Sequence, residues 1–398
     1  MKEKLLGLNL EELRDVCKSE GLPAFAASQL ANWLYVKRIA SVDDMTNISK
    51  THRYALSQKY VVGREAPKDV AVSKDGTKKY LFKSFALIGD GAKRQGKECG
   101  EQNIGKKDSG IGREENGVRE RRNGIRDEVK NEKAGVKDER VRESFIESVM
   151  IPDEERFTLC VSSQAGCRMG CKFCMTGRQG FHGNLSTAEI LNQFFSITEA
   201  EKLTNAVFMG MGEPLDNCTN VFKAIEILTA PWGCGWSPKR ITVSTIGVNV
   251  KKLLDETKVH VAISMHNPFS SQRFEMMPAE HAHPFQKTLQ LLKQYDFTGQ
   301  RRVSFEYIMF KGLNDSKKHA DAIVRSLKGL ECRVNLIRFH DIGDTVFKTS
   351  LLPVIEAFKD RLNAAGITTT LRASRGEDIA AACGMLAGKA DSQLNVNI

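Results

Sequence analysis

Cys167-Arg168-Met169-Gly170-Cys171-Lys172-Phe173-Cys174 is the stretch from which the chain is best read. A C-x3-C-x2-C spacing presents three thiolates on one compact loop, enough for three corners of a cubane [4Fe-4S] cluster. The fourth iron is then open to a small molecule. Structural zinc takes four ligands, and no Cys or His follows closely to supply a fourth. The spacing therefore favours iron–sulfur, with a zinc site built from Cys160 and the triplet as the alternative.

Working outward, the residues after Phe157 alternate between strand and helix patterns. Strands are expected at Phe157–Val161, Ala206–Met209, Arg240–Ser244, Val259–Met265, Val303–Met309 and Arg333–Phe339. Helices are expected near 187–201, 218–229, 248–256, 284–295, 315–328 and 351–364. Six β/α units imply a parallel sheet with right-handed crossovers. The fold class is α/β, a partial (βα)6 TIM-like barrel, with chemistry at the C-terminal strand ends. The triplet follows the first strand, where a site belongs.

Other motifs fall at later strand ends. Gly210-Met211-Gly212-Glu213-Pro214 follows the second, Ser244-Thr245-Ile246-Gly247 the third and Ser264-Met265-His266 the fourth. Glycines permit close backbone approach, and a Glu can accept from an ammonium group. Each of these three alone reads as an ordinary turn or a satisfied polar group; with the cysteine triplet they make four at successive strand ends, which read as a site. Cys383-Gly384, near the C-terminus, carries an accessible thiol or a buried structural one. Cys160, on the first strand, faces either the barrel mouth or the outer helices.

The rest of the chain is organised around this barrel. Residues 1–88 read as an accessory unit: helices with Leu10, Leu13 and Val16 on one face and Gln29, Leu30, Trp33 and Leu34 on another, broken at Gly21-Leu22-Pro23. A short hairpin turning at Lys74-Asp75-Gly76 follows. Residues 89–143 hold ten glycines, fifteen Lys/Arg, thirteen Asp/Glu and no aromatic. Ile104, Ile111, Val118 and Ile125 recur every seven residues, but one apolar position per heptad makes no coiled-coil seam. Such a segment buries too little surface to order itself, and is read as a disordered insertion. Residues 144–388 form the barrel with its C-terminal cysteine segment, and 389–398 a tail.

Ten cysteines among 398 residues, with neither a signal-peptide apolar stretch at Met1–Gly7 nor a membrane-length apolar run, indicate a soluble cytoplasmic protein. Its cysteines are core thiols, ligands or redox groups. The net charge is +10, of which the insertion contributes only +2. The folded parts are therefore basic, which favours a polyanionic partner such as nucleic acid. Trp33 with its helices, Lys239-Arg240 and Arg301-Arg302 are candidates for that contact.

Several motifs together resemble the radical SAM RNA methyltransferases of the RlmN/Cfr family. They are the triplet within Thr158-to-Cys167, then Gly180-Phe181, Asn184-Leu185, Gly210-to-Leu215 and Asp378-Ile379 through Cys383-Gly384. Pro214, and Arg375-Gly376 before the Asp-Ile pair, are similar to the RlmN branch rather than the Cfr branch. The resemblance spans nearly the whole chain apart from the insertion.

It implies that Cys167, Cys171 and Cys174 hold a [4Fe-4S] cluster and that S-adenosyl-L-methionine (SAM) chelates its open iron through amino and carboxylate groups. SAM contacts would come from Gly212, Glu213, Ser244, Ser264, Met265 and His266. His340 occupies a position where the family usually has Asn; imidazole can still donate or accept a hydrogen bond. The implied reaction methylates C2 of adenosine in the peptidyl-transferase centre of 23S rRNA and in tRNA next to the anticodon. C2 of adenine is electron-poor, so a radical route suits it better than displacement, the cofactor supplying the hard step. Two SAM molecules are implied: Cys383 takes a methyl from one, a 5′-deoxyadenosyl radical from the other activates it, and a protein–RNA adduct forms. Cys160 then releases product through a transient disulfide with Cys383, and Glu147 is the implied proton acceptor. By its surroundings in sequence, Glu147 reads as a solvated strand charge. Also implied are an electron donor such as flavodoxin or ferredoxin and a monomeric enzyme. The competing readings are a Cfr-type C8 methyltransferase and a zinc-stabilised RNA-binding protein.

Overall fold

The computed structural model describes residues 2–85, 144–297, 303–343 and 345–388. The expected insertion over 89–143 and the tail at 389–398 lie outside these residues. Ten strands form one sheet: β1 (Asp69–Val72), β2 (Lys78–Ser84), β3 (Ser144–Asp153), β4 (Arg156–Cys160), β5 (Asn205–Phe208), β6 (Ile241–Thr245), β7 (His260–Ser264), β8 (Val303–Met309), β9 (Arg333–Arg338) and β10 (Thr368–Leu371). Their spatial order follows the chain, β1 at one edge and β10 at the other. Neighbours from β4 to β10 pair parallel, while β1 to β4 pair antiparallel.

The six expected parallel strands are all present, and β10 adds a seventh that residue patterning did not reveal. Thr368-Thr369-Thr370-Leu371 is short and carries little apolar signal; it forms because β9 offers an open edge for Thr368–Leu371 to pair with. The hairpin at Lys74–Gly76 also forms, as β1 and β2. Through the β2–β3 pairing it extends the barrel sheet instead of standing apart.

Among the described residues, three helices precede the sheet, a short one follows the cysteine loop, and seven lie between its parallel strands and cover the outer face. They are α1 (Leu10–Ser19), α2 (Ala26–Ala31), α3 (Lys50–Lys59), α4 (Met175–Arg178), α5 (Thr187–Phe195), α6 (Cys218–Thr229), α7 (Val250–Glu256), α8 (Ser270–Met276), α9 (Phe285–Gln294), α10 (Lys317–Leu327) and α11 (Leu352–Ala364). Local chemistry sets their starts. Asn9 before α1 and Ser186 before α5 each close a capping box with a glutamate three residues on. Buried Ile190, Leu191, Phe194 and Phe195 turn one side of α5 to the core, each contributing about 1.5–3 kcal/mol.

Strand periodicity decides what faces inward. On β6, Ile241, Val243 and Thr245 are buried, leaving Thr242 and Ser244 half-buried on the other face. Thr158, Asn205, Thr242, Ser304, Asn335 and Thr368 together line the polar interior of the partial barrel. Cys160 lies two residues beyond Thr158 on the same strand and so faces this interior. No helix among the described residues is long and apolar enough to cross a membrane.

Candidate functional site

The cysteine loop is bracketed by a small hairpin, Gln164–Gly166 against Phe181–Asn184. Its base is closed by the Cys167 amide donating to Gly180 O at 2.7 Å. Gly166 has φ +72°, and a Cβ there would lie 2.0 Å from Gly180 O, so no other residue fits. Gln164 holds the next motif in place: its Oε1 accepts from Glu213 N at 2.9 Å, and its Nε2 donates to Asn184 and Asp216, each at 2.8 Å.

Cys167, Cys171 and Cys174 line one cavity of about 150 Å³ together with Gly212, Glu213, Ser244, Ser264, His266 and Cys383. Glu213 bridges two strand ends, its Oε1 accepting from Leu215 N at 3.2 Å and its Oε2 from Ile246 N at 3.0 Å. Burial pushes its pKa up to about 7. The fully buried Arg273 donates to the carbonyls of Ile246, Ser264 and Met265 at 2.8–3.0 Å and pairs with Glu280, fixing the ends of β6 and β7. His266 sits at φ +51°. Its Nδ1 accepts from Ile308 N at 3.1 Å, and burial drives its pKa down to about 3, so the ring is neutral. Met265 is buried and its amide donates to Glu306 O at 3.1 Å; it does not line this cavity.

A second cavity of about 130 Å³ adjoins the first, with Cys174 and Cys383 in the wall of both. Cys160, Met209, His340 and Arg372 line it. His340 therefore lies on this side, where its ring hydrogen-bonds Ser374 Oγ at 3.2 Å and faces Glu377 Oε1 at 3.3 Å. Burial pushes the Cys160 thiol up to about 12, the Cys383 charge adds to this, and Arg372 opposes it. Cys383 is exposed as a residue, although the atoms packed around its thiol also raise its pKa. Both are free thiols. The disulfide implied between them is thus not formed in this structure.

Glu147 departs from the solvated strand charge read from its neighbours. It is buried on β3, paired with Lys79 Nζ at 3.1 Å. Its Oε2 accepts from the amides of Ala387 and Gly388 at 2.7 and 3.0 Å. Glu147 thereby ties down the chain just beyond Cys383. The β1–β2 turn holds the same segment from the other side. Asp75 accepts from Gly376 N at 2.9 Å, while Asp378 accepts from Ser73 Oγ at 2.5 Å and Lys74 N at 3.2 Å.

The triplet suits a cluster by its donor set. Three thiols share one cavity wall, and burial raises the pKa of each; thiolates so placed require a cationic body between them. The zinc arrangement needs Cys160 to converge with the triplet. Cys160 instead lines the neighbouring cavity with Cys174 and Cys383, away from Cys167 and Cys171. Among the described residues, no group of three or more His, Cys, Asp or Glu gathers closely enough to hold a single metal ion.

Of the expected nucleic-acid contacts, Trp33 is buried, its Nε1 donating to Asn47 at 2.5 Å, so it offers no stacking face. Lys239 and Arg240 line the polar barrel interior where it opens at the N-terminal end of the strands, opposite the cysteine loop. Arg301 and Arg302 lie outside the described residues. Patterning missed Glu306 and Arg372, which have no motif around them. Strand alternation through Ser304 and Glu306 was the one available signal.

Comparison with known proteins agrees with this geometry. Residues 161–323 match the radical SAM superfamily, and residues 3–62 the ribosomal RNA large subunit methyltransferase N-terminal domain. The chain is 48% identical over 390 residues to the "Probable dual-specificity RNA methyltransferase RlmN" of Porphyromonas gingivalis, covering 98% of each. It is 36% identical to the "Dual-specificity RNA methyltransferase RlmN" of Syntrophus aciditrophicus, covering 96% of each. A crystal structure of a radical SAM methyltransferase from Sphaerobacter thermophilus superposes with a TM-score of 0.78 at 30% identity, covering 97% of this chain and 100% of that one. By sequence, fold and site together, the chain belongs to the RlmN family of radical SAM RNA methyltransferases.

Proposed function

We propose that this enzyme methylates C2 of adenosine in 23S rRNA and in tRNA, using Cys383 as the carrier of the methyl group. The observation that supports this most is Cys383 itself, in the shared wall of two cavities. One side presents the cysteine triplet and the strand-end Ser, Glu and His; the other presents Cys160. A thiol there can receive a methyl group from one side and be attacked by a second thiol from the other.

Cys167, Cys171 and Cys174 would hold a [4Fe-4S] cluster, which supplies reductive cleavage of SAM when bound. Gly212, Glu213, Ser244, Ser264 and His266 would line the SAM site, with the Met265 backbone fixed by Arg273. Gly212 allows close approach, since it has φ +98° and a Cβ there would sit 2.5 Å from Gln164 Cβ. His340 would act from the second cavity, beside the segment carrying Ser374 and Glu377. Cys383 would accept the methyl as thiolate. Cys160, also as thiolate, would then attack the Cys383 sulfur, breaking its bond to the transferred carbon. That carbon would keep the electron pair and take up a proton, leaving a disulfide that must be reduced afterwards. Glu147 would take the proton that leaves adenine as aromaticity returns. Of residues 1–88, the helical part would handle RNA, while the Asp69–Ser84 hairpin, paired into the barrel sheet, would serve the chemical part over 144–388, with an electron carrier such as flavodoxin or ferredoxin as donor. The enzyme would work in the cytoplasm as a monomer.

The test is anaerobic reconstitution followed by incubation with SAM, a reductant, a 23S rRNA fragment and tRNA. Mass spectrometry of the digested nucleosides should show C2-methyladenosine. C8-methyladenosine alone would replace this reading with the Cfr-type one, and no methylated adenosine in either RNA would overturn both.

A further inference from the structure

The first cavity has two carboxylates in its wall, and only one is satisfied by protein. Glu213 spends both oxygens on the amides of Leu215 and Ile246. Glu306, on β8 beside Ser264 of β7, is buried, with 3% of its surface exposed. Its Oε1 accepts from Asn335 Nδ2 at 2.7 Å and from Ser304 Oγ at 3.1 Å. Asn335 is itself held by Thr370 Oγ1 at 2.9 Å, so side chains from β8, β9 and β10 fix the carboxylate's orientation. Oε2 is buried yet accepts no hydrogen bond among the described residues. The Arg372 Nε lies 3.6 Å away, an ion pair beyond hydrogen-bonding distance. A buried carboxylate oxygen left without a donor is costly, and in a cavity wall it marks where a ligand donor belongs.

Resting on the methyltransferase reading above, we propose that Glu306 Oε2 accepts a hydrogen bond from the ribose hydroxyls of bound SAM. The choice among SAM's donors follows from chemistry. Its ammonium group belongs at the metal end, by the cysteine loop. Its methyl carbon must reach Cys383, and the sulfonium sulfur that bears it is bonded to C5′ of the ribose. Glu306 lines the same cavity as Cys383 and lies close enough for its charge to act on that thiol. The sugar is therefore the part of SAM that comes nearest Glu306. Glu306 lies within β8 but beside Ser264, the last residue of β7, and a sheet carboxylate taking a ribose hydroxyl is the solution dinucleotide-binding sheets also use.

The experiment is anaerobic calorimetric titration of the reconstituted holoenzyme with SAM, 2′-deoxy-SAM and 3′-deoxy-SAM, for wild type and Glu306→Gln, with iron content and melting temperature as controls. Glu306→Gln should weaken SAM binding about tenfold or more, the scale of a hydrogen bond to a charged group. Deleting the engaged hydroxyl from SAM should cost wild type a similar factor. The two changes together should cost little more than either alone. Equal losses by the variant for SAM and both deoxy analogues would overturn the assignment, as would unchanged SAM affinity. If Glu306→Gln fails to load iron, wild type decides: undiminished affinity for both deoxy analogues overturns the proposal. A wild-type holoenzyme that binds no SAM would instead overturn the methyltransferase reading as well.

Discussion

Asp75 in the β1–β2 turn accepts a hydrogen bond from the backbone amide of Gly376 at 2.9 Å, across 301 residues of chain. Gly376 lies seven residues before Cys383, so the hairpin at one sheet edge clasps the segment that carries the reactive thiol. Burial alone would raise the Asp75 pKa, but hydrogen bonds from Gly376, Thr77 and Ser73 outweigh it and hold it down to about 2. The clasp is thus charged at every pH at which the enzyme would work.

Loosening the clasp should impair positioning more than folding. Asp75→Ala is expected to lower methylation about threefold to tenfold, the scale of one or two hydrogen bonds. It should also speed alkylation of Cys383 by iodoacetamide, with little change in melting temperature. Asp75→Asn keeps an acceptor and should recover part of the loss. Unchanged alkylation in Asp75→Ala would show that the segment is held elsewhere.

The two thiols should fail in different ways. Cys383→Ala is expected to cleave SAM weakly and transfer no methyl group to RNA. Cys160→Ala should accumulate a covalent protein–RNA species, visible as a slow band on a denaturing gel and lost on RNase treatment. Normal methylation by both variants would rule out the two-thiol scheme.

Glu147 should prove structural as well as chemical. Glu147→Ala strands the buried Lys79 and leaves the Ala387 and Gly388 amides unpaired, a loss of roughly 3–5 kcal/mol on the scale of a broken buried pair. Urea denaturation would measure it. Glu147→Gln keeps an acceptor for the amides and should cost less stability while stopping turnover after adduct formation. Full turnover by Glu147→Gln would exclude it as the proton acceptor.

Glu213 makes stability fall as pH rises. The unfolded chain releases this proton near about 4.3, the folded chain at about 7 because of burial. Between these values the folded state binds more protons, so stability declines across the window and the decline is complete above about pH 7. The urea midpoint of iron-free wild type, minus that of Glu213→Gln, should therefore be larger at pH 5 than at pH 8. A difference that grew with pH would contradict the assignment.

What could be read from residues alone is what depends on near neighbours. The C-x3-C-x2-C loop, the β/α alternation and the strand-end motifs with Glu213, Ser244 and His266 all carry their signal within a few positions, because strand period and loop reach are local properties. The Thr368–Leu371 strand was missed since its pairing comes from an exposed neighbour edge and not from its own residues. The inward direction of Cys160, the burial of Glu147 and Trp33, the two-sided clasp on the Cys383 segment and the spare oxygen of Glu306 were decided by tertiary structure. Each depends on which distant segments exclude water from a side chain, and solvent exclusion is a property of the packed chain.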